Sequence, residues 1–190
     1  MSLAGFFCYL QDCLGTFFCD EWQGKKATIM TIFQLILGAI GWLVLTFGAA
    51  WLGSRFMPDD WYQNLKKPRW NPPNKIFAPV WTLLYSLMAA AAWLIWKNYD
   101  FSMAMFPLLL FIIQLLLNAA WTWTFFKLHR PALAMADILV LWTVLLAMLS
   151  LFWEFDPIAG ALILPYIAWV TFAAFLTWSI WRMNRPIPGI

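Results

Sequence analysis

WYQNLKKPRWNPPNKIFAPVWTLLY, residues 61–85, is the stretch on which the reading turns. It begins as a polar, basic, aromatic loop and ends inside a long apolar run. Pro68, Pro72, Pro73 and Pro79 fix φ and push the residue before each of them out of the α region. The loop is therefore expected to be stiff, with Lys67 and Asn71 extended. Trp61, Tyr62 and Trp70 lie among five basic residues, Arg55, Lys66, Lys67, Arg69 and Lys75. Amphipathic rings and cations of this kind collect at the membrane–water boundary. Two roles fit the loop: an anchoring belt, or a lid over a pocket between helices.

Outward from that loop the chain is apolar. Hydrophobic residues make up 64% of its 190 residues and charged residues 11%, against about 25% charged in a soluble domain. The fifteen tryptophans exceed what an ordinary core holds. This composition predicts a multi-pass membrane protein with one membrane domain. The net charge of +3 gives no sign of a nucleic-acid partner, because the cations sit in loops and form no stripe.

Five apolar runs follow one another: 27–52, 76–96, 101–126, 131–155 and 157–181. Each is long enough to cross a hydrocarbon core of about 30 Å as a helix, and within lipid the backbone must satisfy its own hydrogen bonds. The expected fold is therefore all-α, a bundle of five transmembrane helices over 27–184. Residues 1–26 form an N-terminal extension and 185–190 a short tail. In the extension Phe6, Leu10, Cys13, Leu14 and Phe17 recur at helical spacing, which fits an interfacial helix or a disordered tail. Pro131 and Pro157 suit helix starts. Asp156 suits the N-cap of the fifth helix, and Pro165 is expected to bend that helix. With five spans, Lys25, Lys26 and Lys97 share one side. Arg55, Lys66, Lys67, Arg69, Lys75, Lys127, Arg130, Arg182 and Arg185 share the other. The positive-inside rule then places the Trp61 loop and the C-terminus in the cytoplasm, with the N-terminus outside.

Cys8, Cys13 and Cys19 match no metal-binding spacing. His129, the one histidine, reads as a solvated loop residue rather than a haem ligand. No Ser–His–Asp set, catalytic carboxylate pair or phosphate loop is present, which argues against conventional hydrolytic or phosphoryl-transfer chemistry. Asp137 is the one carboxylate well inside a span, and it is expected to pair with Arg130 or Lys127 near the interface.

Three helical stripes remain. Gln114, Asn118, Trp121 and Phe125 share a face of the third helix; Trp81, Tyr85 and Met88 share one of the second. Tyr166, Trp169, Ala173 and Thr177 share one of the fifth. Each can be helix–helix packing, with the amides as interhelical glue. Together they can also line a cavity for a large planar apolar ligand, with rings against its faces and amides or phenols at its polar edge. Loop cations can then meet carboxylates on that edge.

Trp61-Tyr62, Leu65, Lys67-Pro68 and Trp70-Asn71-Pro72-Pro73, followed by Pro79-Val80-Trp81-Thr82 and Tyr85, resemble the TspO/MBR family. Gln114, Asn118, Trp121-Thr122 and Phe125-Phe126 match its third helix, and Leu164-Pro165-Tyr166 with Trp169 its fifth. The likeness covers about residues 30–184. It implies a five-helix bundle, usually a homodimer, with a ligand pocket below the loop between the first two spans. Its members bind protoporphyrin IX, haem and benzodiazepine- or isoquinoline-type ligands, and animal members bind cholesterol. Carried over by motif, the ligand-binding residues are Tyr62, Trp81, Tyr85, Gln114, Asn118, Trp121, Trp169 and Ala173. Trp81 and Trp169 match two tryptophans tied to light-dependent porphyrin breakdown in some bacterial members, and are the candidate catalytic residues. The porphyrin or haem is a ligand; no obligatory cofactor or metal is implied. Membrane lipid is the other partner. Three roles follow from the resemblance: a tetrapyrrole sensor, a porphyrin-degrading enzyme, or a porphyrin or lipid/sterol transporter. Trp178 replaces the tyrosine of the animal cholesterol motif, and the third helix has Ala119-Ala120 but no Gly-xxx-Gly pair.

Overall fold

A computed structural model describes residues 31–56 and 60–184. The expectations for residues 1–26 and 185–190 lie outside the described residues. Helix α1 spans Ile32–Ser54, α2 Asp60–Asn64, α3 Asn74–Asn98 and α4 Phe101–Thr122. A π-helical turn, Trp123–Lys127, continues α4. Helices α5 and α6 span Pro131–Phe155 and Pro157–Met183. All but α2 are long and apolar enough to cross a membrane, giving five candidate spans among the described residues. The protein is a multi-pass integral membrane protein.

Local chemistry sets the helix ends. Thr31 opens α1 with a capping box: its hydroxyl accepts from the Gln34 N–H at 3.3 Å, and Gln34 Oε1 accepts from the Thr31 N–H at 2.9 Å. Asp156 opens α6, its carboxylate accepting from the N–H groups of Ile158 and Ala159 at 2.8 and 3.3 Å. Pro131 and Pro157 occupy first-turn positions, as expected. Two details of the loop differ from the expectation. Pro79 lies inside α3, so Ala78 before it is helical. The loop also holds a short helix, α2, that no periodicity announces.

The long helices close a ring in the order α1, α3, α6, α5, α4 and back to α1. Helices α3 and α4 are the most buried of the long helices. Ala89, Ala91 and Ala92 are at most 2% exposed and let the α3 backbone approach its neighbours. Helix α1 is the most peripheral, with only Thr46 and Gly53 fully buried. The Trp93 indole N–H ties it to α3 by donating to the Leu35 carbonyl at 3.0 Å.

Helices α5 and α6 approach closely at Gly160. A Cβ added there would lie 2.9 Å from the Trp153 Cα. Backbone on one side cannot yield as a side-chain tip can. Gly160→Ala is therefore expected to destabilise the protein by about 1–3 kcal/mol. Thermal unfolding in detergent checks this, and an unchanged melting point would mean that the turn relaxes freely.

Asp137 corrects one expectation. Its Oδ2 is buried and has no hydrogen-bond partner among the described residues, so that oxygen makes no pair with Arg130 or Lys127. Asp137 stands seven residues, or about 10 Å of helix rise, above Arg130, whose side chain lies at the exposed end of α5.

Candidate functional site

Four long helices and the loop line a partly open cavity of about 390 Å³. Phe47, Ala50 and Gly53 form the α1 wall. Phe77, Trp81 and Tyr85 form that of α3, and Asn118, Trp121 and Thr122 that of α4. Trp169, Phe172, Ala173, Leu176 and Thr177 form that of α6. Chain direction brings the C-terminal halves of α1, α4 and α6 together with the N-terminal half of α3, so the cavity lies at the loop end of the bundle. Tyr62 from α2 reaches into its lining.

The lining is flat, aromatic and uncharged. Trp81 stacks on Tyr85 at 5.3 Å between centroids and meets Trp169 edge to face at 6.4 Å. Phe77 and Phe172 flank Trp169 at 5.9 and 5.5 Å. No charged side chain lines the cavity among the described residues. Hydroxyls on its wall are largely turned back on their own helices. Thr82 donates to the Ala78 carbonyl, Thr122 to that of Asn118 and Ser54 to that of Trp51. The Trp121 indole N–H is different: it is buried with no hydrogen-bond partner among the described residues.

Asn118 joins three helices at the floor. Its Oδ1 accepts from the Tyr85 hydroxyl at 2.9 Å, and its Nδ2 donates to the Tyr166 hydroxyl at 2.8 Å. Here the amide-as-glue reading holds: both amide ends are already engaged. Tyr166 is fully buried and stands behind Trp81, 6.2 Å away.

The π-helical turn forms the rest of the wall. A wider turn rotates each residue by less than the 100° of an α-helix, so neighbouring side chains crowd toward one face. Phe125 is 2% exposed and Phe126 is half-buried. Both pack edge-on against the Tyr62 ring, at 6.1 and 5.3 Å. Trp121 stacks on Phe125 at 5.5 Å.

The loop is docked over this end. Tyr62 is buried and its hydroxyl donates to Asn71 Oδ1 at 3.4 Å. Burial raises the Tyr62 phenol above its ordinary range, with the Asn71 bond offsetting part of the rise, so it stays protonated. The Lys67 ammonium lies 4.2 Å above the Tyr62 ring. Trp70 meets Phe172 edge-on at 5.6 Å. Trp61 stacks on His129 at 4.4 Å. His129 is exposed, in keeping with a loop residue, but it sits at φ 53° with its ring face covered.

Tyr62, Trp81, Tyr85, Asn118, Trp121, Trp169 and Ala173, seven of the eight expected positions, line this same cavity. Gln114 does not. It lies one turn further from the loop, fully buried, with both amide atoms unpartnered among the described residues. The fold and this cavity agree with one known family, whose TspO/MBR model matches residues 42–182. The chain belongs to the TspO/MBR family.

Protein CrtK of Rhodobacter capsulatus is 40% identical to it over 70% of this chain and 83% of that one. The tryptophan-rich sensory protein of Cereibacter sphaeroides is 39% identical over 75% and 91%. The human translocator protein is 34% identical over 77% and 90%. Within this TspO/MBR bundle, sequence reasoning missed every α1 residue of the cavity. Phe47, Ala50 and Gly53 sit in a largely apolar run, where the buried Thr46 beside Phe47 was the one available marker of the inward face. It also missed Phe77 and Phe172. Their signal was aromaticity close to Trp81 and Trp169.

Proposed function

We propose that this protein is a membrane receptor for planar apolar ligands of the tetrapyrrole class, protoporphyrin IX and haem among them, and that it acts as a sensor. The observation that carries this reading is the cavity itself. Flat rings from α3, α4 and α6 face one uncharged space, under a loop that bears Lys66, Lys67 and Arg69. Rings stack on the faces of a macrocycle. At about 390 Å³ the space lies near the lower end of the range for ligand pockets. A tetrapyrrole therefore extends toward the loop, where its carboxylates meet cations. The basic residues at this end support a cytoplasmic loop and C-terminus. The family's usual homodimer is part of the same proposal.

The edge-to-face contact of Trp81 with Trp169 favours one second reading, light-dependent breakdown of the bound porphyrin. A substitution series tests both. Trp81→Phe and Trp169→Phe are expected to weaken protoporphyrin IX binding about twofold to thirteenfold, on the scale of one lost aromatic contact of about 0.5–1.5 kcal/mol. Trp93→Phe is the comparison, since Trp93 lies outside the cavity and its N–H is spent on Leu35. Equal effects at all three positions would exclude the cavity as the binding site. Illumination of the complexes then separates the two readings. Porphyrin lost over many turnovers with the protein intact supports an enzyme, and no repeated loss supports a sensor.

A further inference from the structure

Asn184, at the end of α6, holds the loop by its backbone. The Lys66 N–H donates to Asn184 Oδ1 at 3.0 Å, and Asn184 Nδ2 donates back to the Lys66 carbonyl at 2.9 Å. The two residues are 118 apart in sequence. A primary amide is the smallest side chain that donates and accepts side by side, so it can pair with a peptide backbone as a neighbouring strand would. Its orientation is fixed from below. Nδ2 also donates to the Ile180 carbonyl at 2.8 Å, which accepts the Asn184 backbone N–H as well, at 3.1 Å. That carbonyl only accepts, so the NH₂ must face it and Oδ1 must face Lys66.

The place of this clasp matters for the cavity. Lys66 lies four residues after Tyr62, which lines the space, and four before Trp70, which rests on Phe172. Ile180, which anchors the amide, is itself part of the lining. Elsewhere the loop is held by ring contacts, which tolerate sliding. The Asn184 pair is directional and sets the loop at one height. Pro68, Pro72 and Pro73 stiffen the segment beyond it, so release at Lys66 moves the loop as a unit.

We propose that Asn184 is the positioning residue that keeps the loop closed on the cavity, and that ligand enters and leaves when this two-bond clasp opens. The ligand half of this statement rests on the function proposed above; the clasp itself does not.

The test has two readouts on the full-length protein in detergent. The first is ligand-free hydrogen exchange across residues 65–71. Asn184→Ala is expected to raise exchange there by about tenfold or more, as two neutral hydrogen bonds allow. Exchange at Ala89–Ala92 in α3 should stay unchanged. Asn184→Asp keeps the acceptor for the Lys66 N–H and loses the donor, so its effect should be intermediate. Lys66→Ala leaves both backbone groups in place, so ligand-free exchange across the loop should stay at the wild-type level. The second readout is the rate of protoporphyrin IX release and capture, followed by tryptophan fluorescence. Both rates should rise about tenfold in Asn184→Ala, with a smaller change in affinity. Loop exchange equal to wild type would overturn the clasp. Faster loop exchange with unaltered porphyrin kinetics would overturn its role as a gate. If wild-type protein binds no porphyrin, the receptor proposal falls and the exchange data alone decide the clasp.

Discussion

Asn118→Leu lowers the stability of the bundle by about 2–4 kcal/mol. This is the largest expected effect of any single substitution on folding. The amide connects α3, α4 and α6 at one point, through the hydroxyls of Tyr85 and Tyr166. A hydrogen bond between membrane helices contributes only about 0.6 kcal/mol on average, so two lost bonds alone would be modest. Most of the cost comes from what remains behind. Tyr166 is fully buried, and its hydroxyl loses the donor that holds it. An unpaired buried hydroxyl costs about 1–3 kcal/mol. Adding Tyr85→Phe and Tyr166→Phe to Asn118→Leu should therefore restore part of the loss, because no polar group is then stranded. Unfolding measured in mixed micelles checks both. A triple variant less stable than Asn118→Leu would show that ring packing, and not the hydrogen-bonded node, holds the three helices.

Ala173→Phe has the largest expected effect on binding. Ala173 is the smallest residue on the α6 wall and shares that wall with Trp169, Phe172 and Leu176. A benzyl group there occupies space that the ligand needs, and neighbouring rings leave it few other directions. Affinity for protoporphyrin IX should fall by about a hundredfold or more, equivalent to about 2.7 kcal/mol. Stability should hold or rise, since the new ring fills a void. That combination separates a blocked site from a damaged fold. Unaltered affinity would place the ligand elsewhere.

Much of the architecture was legible because membrane helices announce themselves. Lys75 and Lys97 bracket the second span, and prolines begin the fourth and fifth. The inward stripes were legible for a similar reason. Lipid offers no partner to Gln114 or Asn118, so their spacing identified the interior face of α4. That interior face was not the same thing as the cavity. Gln114 shares the face but lies a turn too far from the loop, and periodicity carries no information about where along a helix a cavity ends.

Other features were silent for identifiable reasons. The π-helical turn needs a local widening that the run Trp123–Lys127 does not advertise, and Phe126 joins the wall only through it. Helix α1 is apolar almost throughout, and the buried Thr46 is a faint signature of its inward face. Asn184 follows the last apolar residues of α6 as an ordinary polar residue. Its partner is the backbone of Lys66, and backbone groups look alike in every sequence. Asp137 was read from charge alone, whereas its Oδ2 is buried without a partner among the described residues.

The most direct test of the central claim is a dark titration of detergent-purified protein with protoporphyrin IX, followed by tryptophan fluorescence, with Ala173→Phe in parallel. A receptor with this cavity should show quenching that saturates at about one porphyrin per chain, and that disappears in the variant over the same range. Linear, unsaturable quenching matching that of empty micelles would contradict it, as would saturation that Ala173→Phe leaves unchanged.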